Sequence, residues 1–94
     1  MAKRFLHIGF SFVTEPELEE LEKTFDKALD WYRYAPNCWV VWTSTSSQNW
    51  YSRLKKHLAE DDLVFICEIE IGKRSGWMPK KFWNFIKSHQ ESVQ

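Results

Sequence analysis

The chain has 94 residues with 13 basic and 13 acidic side chains, and it is 17% aromatic, with six tryptophans. This length predicts one domain, residues 1–94, with a single small core. A net charge of zero gives no general attraction for nucleic acid, and the absence of an apolar run of about 18 residues excludes a membrane-spanning helix. Six tryptophans exceed what so small a core should hold, so we expect some at a surface that contacts a partner or a second copy.

The first predicted element is a strand over residues 3–12, in which side chains alternate between two faces. A helix over residues 15–29 follows, with apolar residues at helical spacing and acidic residues between them. Thr14 and Glu17 have the spacing of a capping box, and Pro16 would occupy the first turn, where its missing N–H has no cost.

Two short strands are predicted next, over residues 31–34 and 38–43. Both are rich in aromatic or β-branched residues, and the Ala-Pro-Asn turn at 35–37 between them indicates a hairpin. An alternative interpretation extends the first helix through Tyr34.

The second half of the chain repeats the helix–strand order. A polar linker over residues 43–47 offers several N-cap residues for a helix over 47–58. A strand over 63–71 and a glycine-flanked basic segment over 72–76 follow. A last helix over about 79–89 begins at a proline.

This order predicts an α+β fold, a ferredoxin-like split β-α-β with two helices on one face of an antiparallel sheet and an extra C-terminal helix. Trp39 and Trp42 must point to opposite faces of their strand. One of them is therefore expected on the face away from the two helices, with Phe5, Val64 and Ile66. Either the last helix or a second copy would cover that face.

The layout resembles a family of small ferredoxin-like proteins that includes the CRISPR adaptation nuclease subunit, VapD-type endoribonucleases and SinR-like proteins. The local likeness to the SinR-like pattern lies in residues 37–43, 47–58 and 61–66, and in a tryptophan before the last helix. The resemblance implies a homodimer. It also suggests an inhibitor or regulatory accessory of a bacterial or phage defence system.

One departure from the nuclease members concerns the end of the first strand. There, nuclease members carry an aspartate that can help to hold a divalent metal, whereas this chain has Gly9, Phe10 and Ser11. Since Mg²⁺ sites usually need at least one carboxylate, we expect no metal and no cofactor.

A histidine and two carboxylates form a candidate acid–base group. His7 is predicted on the face opposite the main apolar stripe, and Glu68 and Glu70 of the neighbouring fourth strand are predicted to share that face. Such a group could transfer protons or hold a metal. The simpler interpretation is a surface histidine near solvated carboxylates.

The segment over residues 72–81 is the preferred candidate binding site. It contains two glycines, and its basic residues and tryptophan are Lys73, Arg74, Trp77, Lys80 and Lys81. Glycine loops and helix starts favour anions, and a tryptophan can stack on a base. In the simpler interpretation, the loop is solvated and Trp77 fills the edge of the core.

From these observations we expect a binding or interaction protein rather than an enzyme. It would be a cytoplasmic homodimer that docks an acidic protein partner or a phosphate-bearing ligand, with Cys38 and Cys67 as reduced thiols. Nucleic acid as the ligand is left open. One alternative is an endoribonuclease of the VapD or adaptation-subunit type that uses His7 and Glu68. The other is a nucleotide sensor that uses Trp77.

Overall fold

The computed structural model describes residues 2–90 and contains four strands and three α-helices within that range. In chain order these are β1 (Arg4–Ser11), α1 (Leu18–Phe25), β2 (Asp30–Ala35), β3 (Cys38–Thr43), α2 (Ser47–Leu54), a 3₁₀ turn (Lys55–His57), β4 (Leu63–Ile69) and α3 (Lys80–Gln90).

The four strands form one antiparallel sheet in the order β2-β3-β1-β4. The predicted α+β, ferredoxin-like layout with an additional C-terminal helix is therefore confirmed. Residues 31–43 form the predicted hairpin, so the alternative of a first helix extended through Tyr34 is wrong. No helix within residues 2–90 is both long and apolar enough to cross a membrane.

A first core lies between the sheet and the helices α1 and α2. Trp39 is fully buried there and stacks on Phe25, with ring centroids 4.6 Å apart. Trp50 also stacks on Phe25, with ring centroids 5.8 Å apart, and its indole N–H donates to the Thr43 hydroxyl at 3.1 Å. Large rings let this small core bury a large apolar area.

A second core lies on the opposite face of the sheet, under α3. Trp42 contacts Phe5 at 4.8 Å between ring centroids, and Phe85 and Ile86 of α3 close over Phe5. Trp39 and Trp42 thus pack on opposite faces of the sheet, as predicted. α3 covers one end of the face that lies away from α1 and α2. Val64 and Ile66 were expected on this face, but they pack against the first core instead.

The first helix is shorter than predicted at both ends. It begins at Leu18, and Glu17 occupies the N-cap position without a side-chain hydrogen bond, so the Thr14 capping box is wrong. It ends at Phe25 because the Leu29 N–H donates to the Trp42 carbonyl at 2.9 Å, which already aligns the chain with the sheet. Tertiary pairing here overrides local helix preference.

The start of the second helix follows the sequence more closely. The Ser46 hydroxyl accepts a hydrogen bond from the Asn49 N–H at 3.1 Å, which confirms an N-cap in the polar linker. The α-helix proper ends at Leu54 and tightens into the 3₁₀ turn. β4 ends at Ile69, two residues earlier than predicted, although Ile71 remains buried.

Candidate functional site

The segment 72–79 together with the first turn of α3, called the basic loop below, presents a fully exposed tryptophan. The Trp77 side chain is 99% exposed, so it does not fill the edge of the core. Trp83, one turn into α3, lies close under the loop, with ring atoms 3.8 Å from where a Gly76 Cβ would be. A ring so exposed adds nothing to either core, so Trp77 is accessible to a partner.

Arg74 holds the basic loop to the domain instead of extending freely into solvent. Its guanidinium donates to the Ile71 carbonyl at 3.0 Å and lies 6.0 Å from the centre of the Trp83 ring. Arg74 therefore stabilises the loop and carries charge at the same time.

The three lysines of the basic loop are exposed. Lys73 lies in the loop itself, and Lys80 and Lys81 occupy the first turn of α3, where the chain enters the helix after Pro79. The Phe82 N–H donates to the Pro79 carbonyl at 3.0 Å. Since the start of a helix favours negative charge, these lysines add to a field that attracts anions.

A groove of about 290 Å³ lies beneath the basic loop, between α3 and the sheet. Most of its lining is apolar, and its polar side chains include His7, Tyr34, Glu70 and Arg74. A hydrogen bond of 2.6 Å joins Nε2 of His7 to the Tyr34 hydroxyl. This groove, called the loop groove below, lies near the lower limit of about 300 Å³ for small-ligand sites and shares their mostly apolar lining with a few polar groups.

Burial sets the protonation of the hydrogen-bonded pair His7 and Tyr34 in the loop groove. It lowers the pKa of His7, which favours the neutral imidazole. Burial also raises the pKa of Tyr34, and hydrogen bonding to Cys38 and its charge raise it further. Near neutral pH the pair therefore consists of a neutral imidazole and a neutral phenol.

The predicted acid–base group is not assembled as expected. In the strand register Leu6 pairs with Glu68 and His7 pairs with Cys67, so Glu68 and His7 point to opposite faces of the sheet. Glu68 instead contacts Arg4 at 3.4 Å. Glu70 does line the loop groove with His7, but its carboxylate accepts a hydrogen bond from the Gly72 N–H at 2.9 Å.

Two residues of the loop groove escaped the sequence analysis, namely Tyr34 and Trp83. Tyr34 reaches His7 because β1 and β2 pair with opposite edges of β3. Sequence spacing does not specify this strand order. Trp83 lies two residues beyond the segment selected for its charge, and its helical spacing indicated only core packing.

Within residues 2–90 no group of three or more histidine, cysteine or acidic side chains is placed to hold a metal ion. No family model matches the chain, and neither the curated proteins nor the solved structures include a significant match. Functional inference therefore depends on the geometry of the basic loop and the loop groove.

We expect His7 to make the stability of the protein depend on pH. Because the folded state lowers the pKa of His7 below its ordinary value of 6.5, the unfolded chain binds a proton more readily. The free energy of unfolding should therefore be constant above pH 6.5 for this group and should fall as the pH drops below it. Urea titrations at pH 7.5 and 5.5 should show a smaller fall in His7→Gln than in the wild type.

Tyr34→Phe is the matched control, because it removes the hydrogen-bond partner and leaves His7 half-buried. It should retain the pH dependence of the wild type. Some dependence should remain in His7→Gln, since burial and the charge of Lys56 also lower the pKa of His57. A fall in His7→Gln as steep as in the wild type would contradict the role of His7.

Proposed function

We propose that this protein is a non-enzymatic binding module that docks a negatively charged partner through the basic loop. The observation that carries the proposal is the Trp77 side chain, which is 99% exposed among exposed lysines. An aromatic ring beside cationic groups suits both a nucleotide base with its phosphate and an acidic peptide surface. A regulatory role in a defence system, suggested by the family resemblance, stays a prediction.

The basic loop is suited to docking because its base is fixed and its contact groups are free. Arg74 is tied to Ile71 and Trp83, which limits the entropy that binding would remove. Trp77 and Lys73 have no such ties among the hydrogen bonds and ring contacts of residues 2–90. A fixed loop with free contact groups favours binding over catalysis, which would require several aligned reacting groups.

The test measures binding of two labelled probes, a single-stranded RNA oligonucleotide and a polyglutamate peptide, by fluorescence anisotropy. Trp77→Ala should weaken binding roughly 5–150-fold if a base stacks on the ring. Lys73→Glu with Lys80→Glu should weaken binding of either probe roughly 10–100-fold, because repulsion replaces attraction. Binding should also weaken as salt is raised.

Lys55→Glu with Lys56→Glu is the matched control, because it makes the same charge change in the exposed 3₁₀ turn. It should leave the affinity within about threefold of the wild type. Arg74 is left intact in these variants because its loss would disturb the loop. If neither probe binds the wild type more tightly than it binds the Lys73/Lys80 variant, the basic loop is not a binding site.

The same experiment addresses the two alternatives. Cleavage of the RNA probe that disappears in His7→Ala would replace the binding proposal by the endoribonuclease. RNA binding that is lost in Trp83→Ala but survives Trp77→Ala would contradict the nucleotide sensor that uses Trp77 and would place the bound base in the loop groove, which Trp83 and not Trp77 lines.

A further inference from the structure

No strand within residues 2–90 pairs with the outer side of β4, which forms one edge of the sheet. β4 is an outer strand that pairs with β1 on one side only, and this pairing runs from Ser11↔Leu63 to Phe5↔Ile69. Its seven residues include no proline, and their one charged side chain, Glu68, is paired with Arg4 of the neighbouring β1. A strand edge of this kind offers unpaired backbone N–H and C=O groups to another strand.

The other edge of the sheet is guarded. β2 has a register shift between Arg33 and Ala35, and Pro36 follows directly. Bulges, charged residues and prolines are the usual means by which natural sheets prevent pairing at an edge. The contrast between the two edges indicates that pairing at β4 is tolerated or used.

Apolar side chains flank the open edge on both faces. Leu63 and Phe65, on the α3 side of the sheet, are 67% and 68% exposed. On the other face Tyr51 is half exposed and lines a hollow of about 240 Å³ with Val64 and Ile66. The β4 edge patch is defined as Tyr51, Leu63, Val64, Phe65, Ile66 and Cys67.

We propose that the β4 edge patch binds a second copy of this chain by antiparallel β4–β4 pairing, with the two-fold axis at Ile66. Ile66 is the central residue of the strand, so this register pairs all seven residues and sets Phe65 opposite Cys67 of the second copy. An axis at Phe65 would instead pair only the five residues Leu63–Cys67 within the strand. The result is one continuous eight-stranded sheet.

The two faces of the sheet make this arrangement self-complementary. α3 covers the end of β4 near Ile69 and Ile71, whereas Leu63 at the other end is uncovered. Antiparallel pairing places the open end of each copy beside the covered end of the other. Each copy therefore contributes the same contacts, as a two-fold interface requires. The guarded β2 edges prevent further strands from adding to the eight-stranded sheet.

This register sets Asp62 opposite Glu70 of the second copy just beyond the strand ends, but backbone N–H groups already bind both carboxylates. The Asp62 carboxylate accepts hydrogen bonds from the Val13 and Ala59 N–H groups at 2.8 and 2.7 Å, and Glu70 accepts one from Gly72. A standard interface removes about 800 Å² from each partner. Phe65 and Tyr51 supply roughly 200–300 Å² of this from their exposed fractions, and Leu63 and the half-buried side chains of the patch add to it.

Light scattering and sedimentation of the full chain test the proposal. The wild type should have twice the chain mass of 11.4 kDa. Phe65→Lys should raise the dimer dissociation constant at least about 100-fold, since each dimer loses two buried aromatic side chains and gains two charges. Leu29→Lys is the matched control, because Leu29 is 57% exposed and lies outside the patch, and it should remain dimeric. A monomeric wild type, or an unchanged Phe65→Lys, would overturn the proposal.

A disulfide tests the register. Phe65→Cys should form a covalent dimer with Cys67 of the second copy under mild oxidation, because directly paired strand residues lie within disulfide distance. The reductant dithiothreitol should reverse the link, and Phe65→Cys with Cys67→Ser should not form it. Cross-linking in that double variant would overturn the axis at Ile66. Trp77→Ala should stay dimeric, which separates this proposal from binding at the basic loop; dissociation there would place the interface at the loop instead.

Discussion

Replacing Trp39 with alanine should lower the free energy of unfolding by about 3–5 kcal/mol. The Trp39 side chain is fully buried and contacts two phenylalanine rings, stacking on Phe25 and meeting Phe10 edge-on at 5.5 Å. The guanidinium of Arg33 also lies 5.2 Å from the ring centre. Small domains have total stabilities near the lower end of about 5–15 kcal/mol, so this loss should leave the protein marginally folded.

Urea unfolding monitored by circular dichroism measures this effect, and two variants control it. Trp77→Ala removes the same side chain from a fully exposed position and should change stability by no more than about 0.5 kcal/mol. Trp39→Phe should cost less than Trp39→Ala, because it keeps a stacked ring and removes an indole N–H that has no hydrogen-bond partner within residues 2–90. Equal losses in Trp39→Ala and Trp77→Ala would contradict the assignment of Trp39 to the core.

Replacing Phe85 with alanine should cost about 3 kcal/mol and expose the second core. Phe85 contacts Phe5 and Tyr32, each at 5.9 Å between ring centroids, and only 8% of its side chain is exposed. α3 is the cover of this end of the sheet, so loosening it exposes Phe5 and Trp42 to water. We expect increased binding of a hydrophobic dye as well as lower stability.

Lys87→Ala, on the exposed side of the same helix, is the matched control and should change stability by no more than about 0.5 kcal/mol. The comparison is made at two protein concentrations. If a second copy rather than α3 covered this end of the sheet, the loss in Phe85→Ala would nearly disappear at high concentration. A loss that is the same at both concentrations would support α3 as the cover.

Together the two cores account for most of the unusual aromatic content. Trp39 and Trp50 serve the first core, Trp42 serves the second, and Trp77 is left in solvent. The excess of tryptophan that suggested a partner is thus largely internal. The case for partners depends on two specific places, Trp77 in the basic loop and Phe65 at the β4 edge.

The candidate site shows where sequence reasoning stops. The basic loop could be found from composition alone, because glycines, lysines and a tryptophan fall within ten residues. The pairing of His7 with Tyr34 could not be found, since it depends on which strands are neighbours and on their register. The error at Glu68 has the same origin, because a change of one residue in register moves every side chain to the other face.

By itself the sequence determined the kinds of elements, their order and the α+β class, because hydrophobic periodicity is a local property that requires no knowledge of neighbours. It also determined that Trp39 and Trp42 face opposite ways, which follows from the alternation of a single strand. Only the tertiary structure decided where the helices end and which residues of β4 face His7. Helix ends and strand registers are set by long-range hydrogen bonds, such as that from Leu29 to Trp42, which no local pattern encodes.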